Sequence, residues 1–353
     1  MRSLVRGVRI ADRDVGPGSP CLVIAEAGVN HNGDLARAIE MVRVASEAGV
    51  DAIKFQTFKA DRLVTDDSPK APYQLQSTDP IEGQHAMLER LQLDEQDHLR
   101  LRDACRDAGV MFLSTPFDRE SADLLDELGV PAFKIASPDL VDLPLLAHVA
   151  AKGKPMLVST GAATIEEVGA GMRAIAAGGG RDVVLLHCVT SYPAAPSDIN
   201  LRAMSTLADM FGTAVGLSDH TLGIDIAVAA VALGASVVEK HFTLDRRLPG
   251  PDHQASLEPD ELRALVSSIR RVESALGNGL KVPAPSEHSV AAVARKSLVA
   301  SDAIAAGTAL RADMVSMMRP AAGLPASALA DLLGRTAVAD ISAGTRLRRD
   351  MFR

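Results

Sequence analysis

The fold of this chain is decided by one stretch, which reads GLSDHT at 216–221, IAVAAVALGA at 226–235, VVEKHFT at 237–243 and GPDHQAS at 250–256. The order is strand end, small-residue helix, strand end and turn, which predicts one βαβ crossover. His220 and His241 each follow a predicted strand, and Asp252 lies in the turn beyond. Because neighbouring parallel strands end at the same edge of a sheet, the two imidazoles are expected to converge near the carboxylate. This combination favours a divalent-metal site.

The same strand–helix alternation extends through the first three quarters of the chain. Several helical patterns end in a glycine that leads directly into an apolar run, as in EAGVDAIKF at 47–55 and ALGASVVEK at 232–240. Glycine tolerates the left-handed conformation that ends many helices. Eight such units predict a (β/α)8 barrel, and a doubly wound open sheet is the alternative. Strands are predicted at 22–25, 52–55, 111–114, 132–136, 155–158, 183–188, 214–217 and 237–240, with helices at 34–48, 95–108 and 119–128.

Composition excludes several classes of protein. The 353 residues are 47% hydrophobic, so a sizeable core can form, while aromatic residues make up 3% and tryptophan is absent. Few side chains are therefore available to stack on bases, and a net charge of −8 disfavours nucleic-acid and anionic-membrane surfaces. Three widely spaced cysteines indicate a reducing compartment. The N-terminal segment lacks an apolar signal core, so a cytoplasmic protein without a membrane segment is predicted.

The last quarter of the chain has a different character. The segment GNGLKVPAPSEHS at 277–289 is rich in Gly, Pro and Ser. After it, the phrase Ile-x-Ala-Gly-Thr-x-Leu-Arg followed by Asp-Met occurs twice, from Ile304 and from Ile341. This duplication predicts a small two-fold β-type module. The predicted organisation is a barrel over 1–280, a linker over 281–291 and the small domain over 292–353.

Polar residues follow nearly every predicted barrel strand. In a (β/α)8 barrel such positions face the active site. Lys54 and Lys134, with hydroxyl residues at neighbouring strand ends, suit an anionic phosphate group. Glu26 is a candidate acid or base. Cys188 is predicted to be a small buried apolar residue, and Lys240 is counted with Glu239 and His241 among the residues at the barrel mouth.

Nine motifs together resemble the sialic acid synthase family, which includes the N-acetylneuraminate, legionaminate and pseudaminate synthases. The segment from residue 291 onward is similar to the antifreeze-like SAF domain of that family. The motifs are IAEAGVNHNG (24–33), DAIKFQTF (51–58), STPFD (114–118), FKIASPDL (133–140), LVSTGAAT (157–164), LLHCVTSYP (185–193), GLSDHTLG (216–223), VEKHFTLD (238–245) and GPDHQAS (250–256).

The resemblance implies an enzyme that condenses phosphoenolpyruvate with N-acetylmannosamine or a close 2-acetamido sugar and releases phosphate. It implies that His220 and His241 bind a metal, with Mn²⁺ the first choice and Mg²⁺ or Co²⁺ the alternatives. Residues matching the phosphoenolpyruvate positions are Lys54, Thr115, Lys134, Ser137, Ser159 and Ser218. Those matching the sugar side are Glu26, Gln56, Tyr192 and Asp252, together with Asp139, which stands where many members have glutamate.

The resemblance also implies a homodimer in which the small domain of one subunit covers the barrel of the other. Arg319 matches the arginine that reaches the neighbouring sugar site. Within the family, a legionaminate or pseudaminate synthase acting on a 2,4-diacetamido-2,4,6-trideoxyhexose is the alternative function. A metal-dependent pyruvate aldolase, a 3-deoxy-keto-acid phosphate synthase and a non-enzymatic sugar- or ice-binding protein are the more distant alternatives.

Overall fold

A computed structural model describes residues 6–353 and divides after Gly277 into two compact units. Residues 1–5 lie outside the described residues. They belong to the N-terminal segment that is predicted to lack an apolar signal core. In the described part of the chain, no helix combines the length and apolarity required to cross a membrane.

The first unit is built on eight parallel strands. A short antiparallel hairpin of β1 (Val8–Ile10) and β2 (Arg13–Val15) precedes them. The eight strands are β3 (Leu22–Gly28), β4 (Ala52–Thr57), β5 (Met111–Pro116), β6 (Phe133–Ile135), β7 (Met156–Ser159), β8 (Val183–Cys188), β9 (Ala214–Asp219) and β10 (Val237–His241).

These strands form a nearly closed barrel. Hydrogen bonds join them in the order β5-β4-β3-β10-β9-β8-β7-β6. Strands β5 and β6 lie side by side, but within residues 6–353 no ladder joins them. The predicted (β/α)8 barrel is therefore confirmed, and the open doubly wound sheet is wrong because β3 and β10, the first and last barrel strands, are paired in parallel.

Helices connect the strands and cover the outside of the barrel. The helices of the first unit are α1 (Leu35–Glu47), α2 (Ala60–Leu63), α3 (Pro72–Ser77), α4 (Gln84–Leu91), α5 (Glu95–Ala108), α6 (Arg119–Glu127), α7 (Leu143–Ala150), α8 (Ile165–Ala177), α9 (Ala203–Phe211), α10 (Asp225–Ala232) and α11 (Pro259–Leu276). Helix α5 shows how sequence sets the limits: Asp94 caps its first turn, and Gly109 ends it at φ 69°.

Side-chain alternation divides the barrel into an inner and an outer core. One residue in two faces the helices, and the intervening residues fill the interior with a layer that includes Leu22, Leu113, Leu157 and Val237. This layer closes the lower part of the barrel. Further along each strand, the polar residues that face the same way as this layer therefore lie directly above an apolar floor.

The connection from β4 to β5 is longer than the others. Before α5 it carries α2, α3 and α4, which together form the β4–β5 insertion. Met87 and Leu91 of α4 pack with Val29 and Phe58 into a separate small core. That packing places the insertion over one side of the barrel mouth, where the sequence reasoning had predicted no helix.

The second unit contains two more helices and two more strands. These are α12 (His288–Ala294), β11 (Ser297–Ala300), β12 (Val315–Met318) and α13 (Leu329–Leu332). Its core includes Leu298, Leu310, Leu332 and Leu347. The duplicated isoleucines meet across a two-fold arrangement: the backbone N–H of Ile304 donates to the carbonyl of Ile341, and the reverse bond has the same length, 2.8 Å.

Candidate active site

The polar layer above the barrel floor consists of strand residues that share one face. Beyond the interior apolar residues, each strand carries a polar or sulfur-bearing side chain on the same face, and all are buried. Because side chains alternate between the two faces of each strand, these polar residues all point into the barrel and converge, although they are far apart in sequence. The inward-facing set is Glu26, Lys54, Thr115, Lys134, Ser159, Cys188, Ser218 and Glu239.

Two lysines lie at the centre of this layer. Lys54 Nζ lies 2.7 Å from Glu26 Oε2 and donates to Thr115 Oγ1 at 2.8 Å. Lys134 Nζ donates to Ser159 Oγ at 2.7 Å and to the carbonyl of Ile135. Burial lowers the pKa of Lys134 against the opposing influence of Glu239. These ammonium groups and hydroxyls are the donors that an anion entering the cavity would meet.

Glu239 connects the two lysines. Its Oε1 lies 3.6 Å from Lys134 Nζ, and its Oε2 lies 4.0 Å from Lys54 Nζ. Ser218 Oγ donates to the same carboxylate at 3.0 Å. Burial alone would raise the pKa of Glu239, but the two lysines hold it below its ordinary value. Glu239 follows a predicted strand, where the sequence assigns it no role, and its position between the lysines follows from the shared strand face.

Glu26 lies between Lys54 and His241, its register partners on the two neighbouring strands. Its Oε1 accepts a hydrogen bond from Gln56 Nε2 at 3.3 Å. A Cβ at Gly28 would lie 3.3 Å from Glu26 and 3.6 Å from Asp252, so the absent side chain leaves room for both carboxylates. Burial raises the pKa of Glu26 to about 7 against the charge of Lys54, and burial raises the pKa of Asp252 to about 6.

The histidine pair lies on the neighbouring strands β9 and β10, as the opening stretch predicted. The ring centroids of His220 and His241 are 5.3 Å apart. His220 Nδ1 lies 2.8 Å from the carbonyl of Val189, which can only accept a hydrogen bond, so Nδ1 carries a proton and Nε2 is the ring nitrogen left to bind a cation. His241 Nδ1 is buried without a hydrogen-bond partner and lies 3.8 Å from Asp252 Oδ2.

The chemistry of these donors fits a divalent cation. Burial, together with the charge of His220, lowers the pKa of His241 well below its ordinary value, so its ring is neutral and able to coordinate. Among residues 6–353 no three His, Cys, Asp or Glu side chains are arranged to hold a metal. Two histidines would therefore supply the protein ligands, and water or substrate would complete the coordination.

Aromatic rings form one side of the cavity. The Tyr192 ring stacks on His220 with centroids 4.1 Å apart and on Tyr73 with centroids 5.0 Å apart. Tyr73 belongs to α3 in the β4–β5 insertion, and sequence reasoning did not identify it. No signal at a strand end could have done so, because its position depends on how the insertion folds back over the mouth.

The cavity has a volume of about 590 Å³. Above the polar layer, it is lined by apolar residues of the insertion, including Leu63, Val64 and Leu88. These side chains are only partly buried, so they offer apolar surface to a ligand. The structure thus combines a charged floor with an apolar upper wall.

Most of the predicted site residues line this one cavity. They are Glu26, Lys54, Gln56, Thr115, Lys134, Ser137, Ser159, Tyr192, Ser218, His220, His241 and Asp252. Asp139 lies just outside the lining, with Oδ2 buried and unpaired, and burial raises its pKa to about 7. Arg319 belongs to the second compact unit.

The prediction for Cys188 is confirmed, and that for Lys240 is wrong. Cys188 is buried, as predicted, but it lines the cavity, and its Sγ lies 3.9 Å from His220 Nδ1. Lys240 does not face the cavity, because strand alternation points Glu239 and His241 inward and Lys240 outward. The ammonium of Lys240 instead forms a buried ion pair with Asp219 at 2.6 Å.

Comparison with known proteins identifies the family. The NeuB family matches residues 41–281, and the SAF domain matches residues 295–353. This chain belongs to the NeuB family. An N,N'-diacetyllegionaminic acid synthase of Legionella pneumophila is 44% identical over 336 residues, covering 94% of each chain. One from Campylobacter jejuni is 45% identical over 318 residues, covering 90% of this chain and 95% of the relative.

A solved structure supports the same assignment of this NeuB-family chain. The N-acetylneuraminic acid synthetase of Leptospira borgpetersenii, crystallised with citrate, superposes with a TM-score of 0.73 at 32% identity. The match covers 82% of this chain and 96% of the synthetase. The resemblance inferred from the nine motifs is confirmed at the level of the family, and the chain is a synthase of the nonulosonic acid class.

Proposed function

We propose that this enzyme condenses phosphoenolpyruvate with N-acetylmannosamine, or a close 2-acetamido sugar, and water to give an N-acetylneuraminate-type acid and phosphate. The observation that carries the proposal is the junction of two sites in one cavity. Glu26 is the register partner of His241 on one side and of Lys54 on the other. An anion held by the lysines would therefore lie beside an aldehyde held at the histidines.

The lysine side binds phosphoenolpyruvate in this proposal. Lys54 and Lys134 hold its phosphate and carboxylate, and hydroxyls at the neighbouring strand ends complete the hydrogen bonds. Because both ammonium groups are buried, their attraction for an anion is screened less than it would be at the surface. The same donors stabilise the negative charge that develops on phosphate as it leaves. The hydroxyl donors are Thr115, Ser137, Ser159 and Ser218.

The histidine side binds the sugar aldehyde. His220 and His241 would hold the cation, with Mn²⁺ proposed first and Mg²⁺ or Co²⁺ as alternatives. When bound, the cation supplies Lewis-acid polarisation of the aldehyde oxygen. Tyr192, Gln56 and Asp252 orient the sugar against the nucleophile, and Asp139 contacts a hydroxyl from the edge of the cavity. Orientation of two bound substrates is worth a large part of the rate.

The reaction balances with the groups present. The methylene carbon of phosphoenolpyruvate forms the new bond to the aldehyde carbon, and the aldehyde oxygen takes up a proton. Water adds to the former enol carbon and loses a proton, and the carbon–oxygen bond to phosphate then breaks. A pKa of about 7 equips Glu26 to move one of these protons near neutral pH.

The quaternary arrangement is part of the proposal. The small domain, proposed to span 292–353 after a linker at 281–291, covers the barrel of a second subunit in a homodimer. Arg319 then reaches the partner's sugar and binds its N-acetyl group. The proposed location is the cytoplasm, in keeping with three free cysteines.

A second candidate substrate is a 2,4-diacetamido-2,4,6-trideoxyhexose. Two observations support it as the alternative: relatives at 44% and 45% identity are N,N'-diacetyllegionaminic acid synthases, and the upper wall carries Leu63, Val64 and Leu88. A methyl in place of a hydroxyl, with a second acetamide, would bury apolar surface against these side chains.

Phosphate release tests both candidates. Purified enzyme is supplied with phosphoenolpyruvate, Mn²⁺ and N-acetylmannosamine, 2,4-diacetamido-2,4,6-trideoxymannose or the altrose analogue. The proposal expects phosphate release with one of these unphosphorylated sugars, and no sugar–pyruvate condensation product by mass spectrometry when pyruvate replaces phosphoenolpyruvate. Activity with pyruvate would indicate an aldolase, and a requirement for a sugar phosphate would indicate a different keto-acid synthase.

A further inference from the structure

A buried ion pair lies directly behind the histidine pair. Lys240 Nζ donates to Asp219 Oδ2 at 2.6 Å and to the carbonyl of Thr221 at 2.6 Å. Asp219 also accepts from the backbone N–H of Thr221 at 2.9 Å and from its hydroxyl at 3.1 Å. All three residues are at most 1% exposed. This closed set of hydrogen bonds lies on the helix-facing side of the barrel wall.

The pair is adjacent in sequence to both histidines. Asp219 and Thr221 are the neighbours of His220, and Lys240 precedes His241. Asp219 and Lys240 are also register partners on β9 and β10. One ion pair therefore fixes the end of β9, the turn that follows it and the last residues of β10. These are the segments that determine the separation of the two rings.

Stability alone does not explain such a pair. Removing two charges from water costs several kcal/mol per ion, and the attraction between them often only offsets that cost. Apolar side chains on the same strand face, such as Leu217 and Val238, pack against the helices without it. The contribution specific to charges is geometric, because two short hydrogen bonds from one ammonium restrict where the turn can lie.

We propose that Asp219 and Lys240 are positioning residues that set the separation and orientation of His220 and His241, and thereby the affinity of the site for its metal. The inference rests on the proposed role of these histidines as metal ligands. Neither Asp219 nor Lys240 lines the cavity, so they act only through the histidines. Groups that orient metal ligands commonly change metal affinity about 10- to 100-fold.

Three variants separate positioning from stability. They are Asp219→Asn, Lys240→Met and the double variant. Each single change leaves one buried charge unpaired and is expected to lower the urea midpoint. The double change removes both charges, and asparagine can still accept from the Thr221 N–H, but the Thr221 carbonyl loses its donor, so the midpoint should rise above those of both single variants. Binding of Mn²⁺ alone to the metal-free enzyme is measured by titration calorimetry, with phosphoenolpyruvate binding as a second titration.

The expected result is that the double variant is more stable than either single variant but binds Mn²⁺ at least about tenfold more weakly than the parent, with phosphoenolpyruvate affinity unchanged. A double variant with the Mn²⁺ affinity of the parent overturns the inference. A parent that binds no Mn²⁺ overturns the proposed metal site itself and the inference with it, so the two failures are distinguishable.

A matched control lies at the other end of the barrel. Asp51 and Arg270 form a half-buried ion pair at 2.7 Å next to the start of β4. Asp51→Asn with Arg270→Met should leave Mn²⁺ affinity unchanged. If the double variant at 219 and 240 fails to fold, Thr221→Val provides a milder test, because it removes one hydrogen bond to Asp219 without removing a charge. Weaker Mn²⁺ binding by this variant supports the inference, and unchanged binding overturns it.

Discussion

Glu239 Oε1 lies 3.6 Å from Lys134 Nζ, and both residues are at most 5% exposed. The carboxylate thus balances a cationic pocket before any substrate anion enters. Glu239→Gln should destabilise the metal-free enzyme by about 3 kcal/mol in anion-free buffer, because a buried cation loses its partner. Added phosphate should restore more stability to this variant than to the parent. Urea unfolding with and without phosphate measures both effects.

The control for Glu239 is Glu40→Gln, which breaks an exposed ion pair with Arg43 and should cost less than about 1 kcal/mol. Equal responses of the Glu239 variant and the parent to phosphate would show that Glu239 does not balance the lysines.

Lys134→Met should reduce kcat/KM for phosphoenolpyruvate by about 100-fold or more, since charged hydrogen bonds are worth about 1.5–3 kcal/mol each. Lys59→Met changes an exposed lysine outside the cavity and should leave the value unchanged. Initial rates at varied phosphoenolpyruvate provide the measurement. A Lys134 variant with an unaltered kcat/KM would remove this lysine from the proposed anion site.

Arg319→Ala should raise the KM for the sugar by about tenfold, the loss of one charged hydrogen bond, without changing the KM for phosphoenolpyruvate. Arg311→Ala, which breaks an exposed ion pair with Asp313, is the control. Sedimentation of the active species should show a dimer. An active monomer, or an unchanged sugar KM, would contradict the proposed contribution from the second subunit.

Acid should destabilise the fold through His31. Burial lowers the pKa of this histidine to about 4, from an ordinary value near 6.5. Between these two pH values the folded state therefore binds fewer protons than the unfolded state. The stability of a fold that buries neutral His31 is thus fully present above pH 6.5 and is lost as the pH falls towards about 4. The full effect corresponds to about 3 kcal/mol.

The measurement is the free energy of unfolding of the parent and of His31→Asn across this pH range. The variant should lose less stability on acidification, and His288→Gln, at an exposed histidine, should follow the parent. If the free energy of unfolding fell equally with pH in the parent and in His31→Asn, protonation of His31 would not be the cause.

The sequence predicts the barrel and the strand-end residues of the cavity because both depend on local rules. Apolar runs marked the strands, and the register then brought strand-end residues such as Lys54 and Ser218 together. Some strand limits differed by up to three residues: β3, for example, extends to Gly28 rather than residue 25. Hydrogen bonding between neighbours, rather than composition, sets those limits.

The remaining features depend on tertiary contacts. In the motif VVEKHFT, Lys240 resembles a site residue, but side-chain alternation places it on the helix-facing side of the barrel wall. Tyr73 reaches the cavity only because the insertion packs back through Met87 and Leu91. Cys188 reads as an ordinary apolar residue, and its proximity to His220 depends on how β8 and β9 lie together.

The central claim is that one cavity holds both substrates and joins them through carbon. The most direct measurement is a mass-spectrometric count of the nine-carbon acid against phosphate released, with both substrates present and with each omitted in turn. We expect one acid per phosphate, only with both substrates, and loss of both products in Lys134→Met. Phosphate release without the sugar, or without formation of the acid, would contradict it.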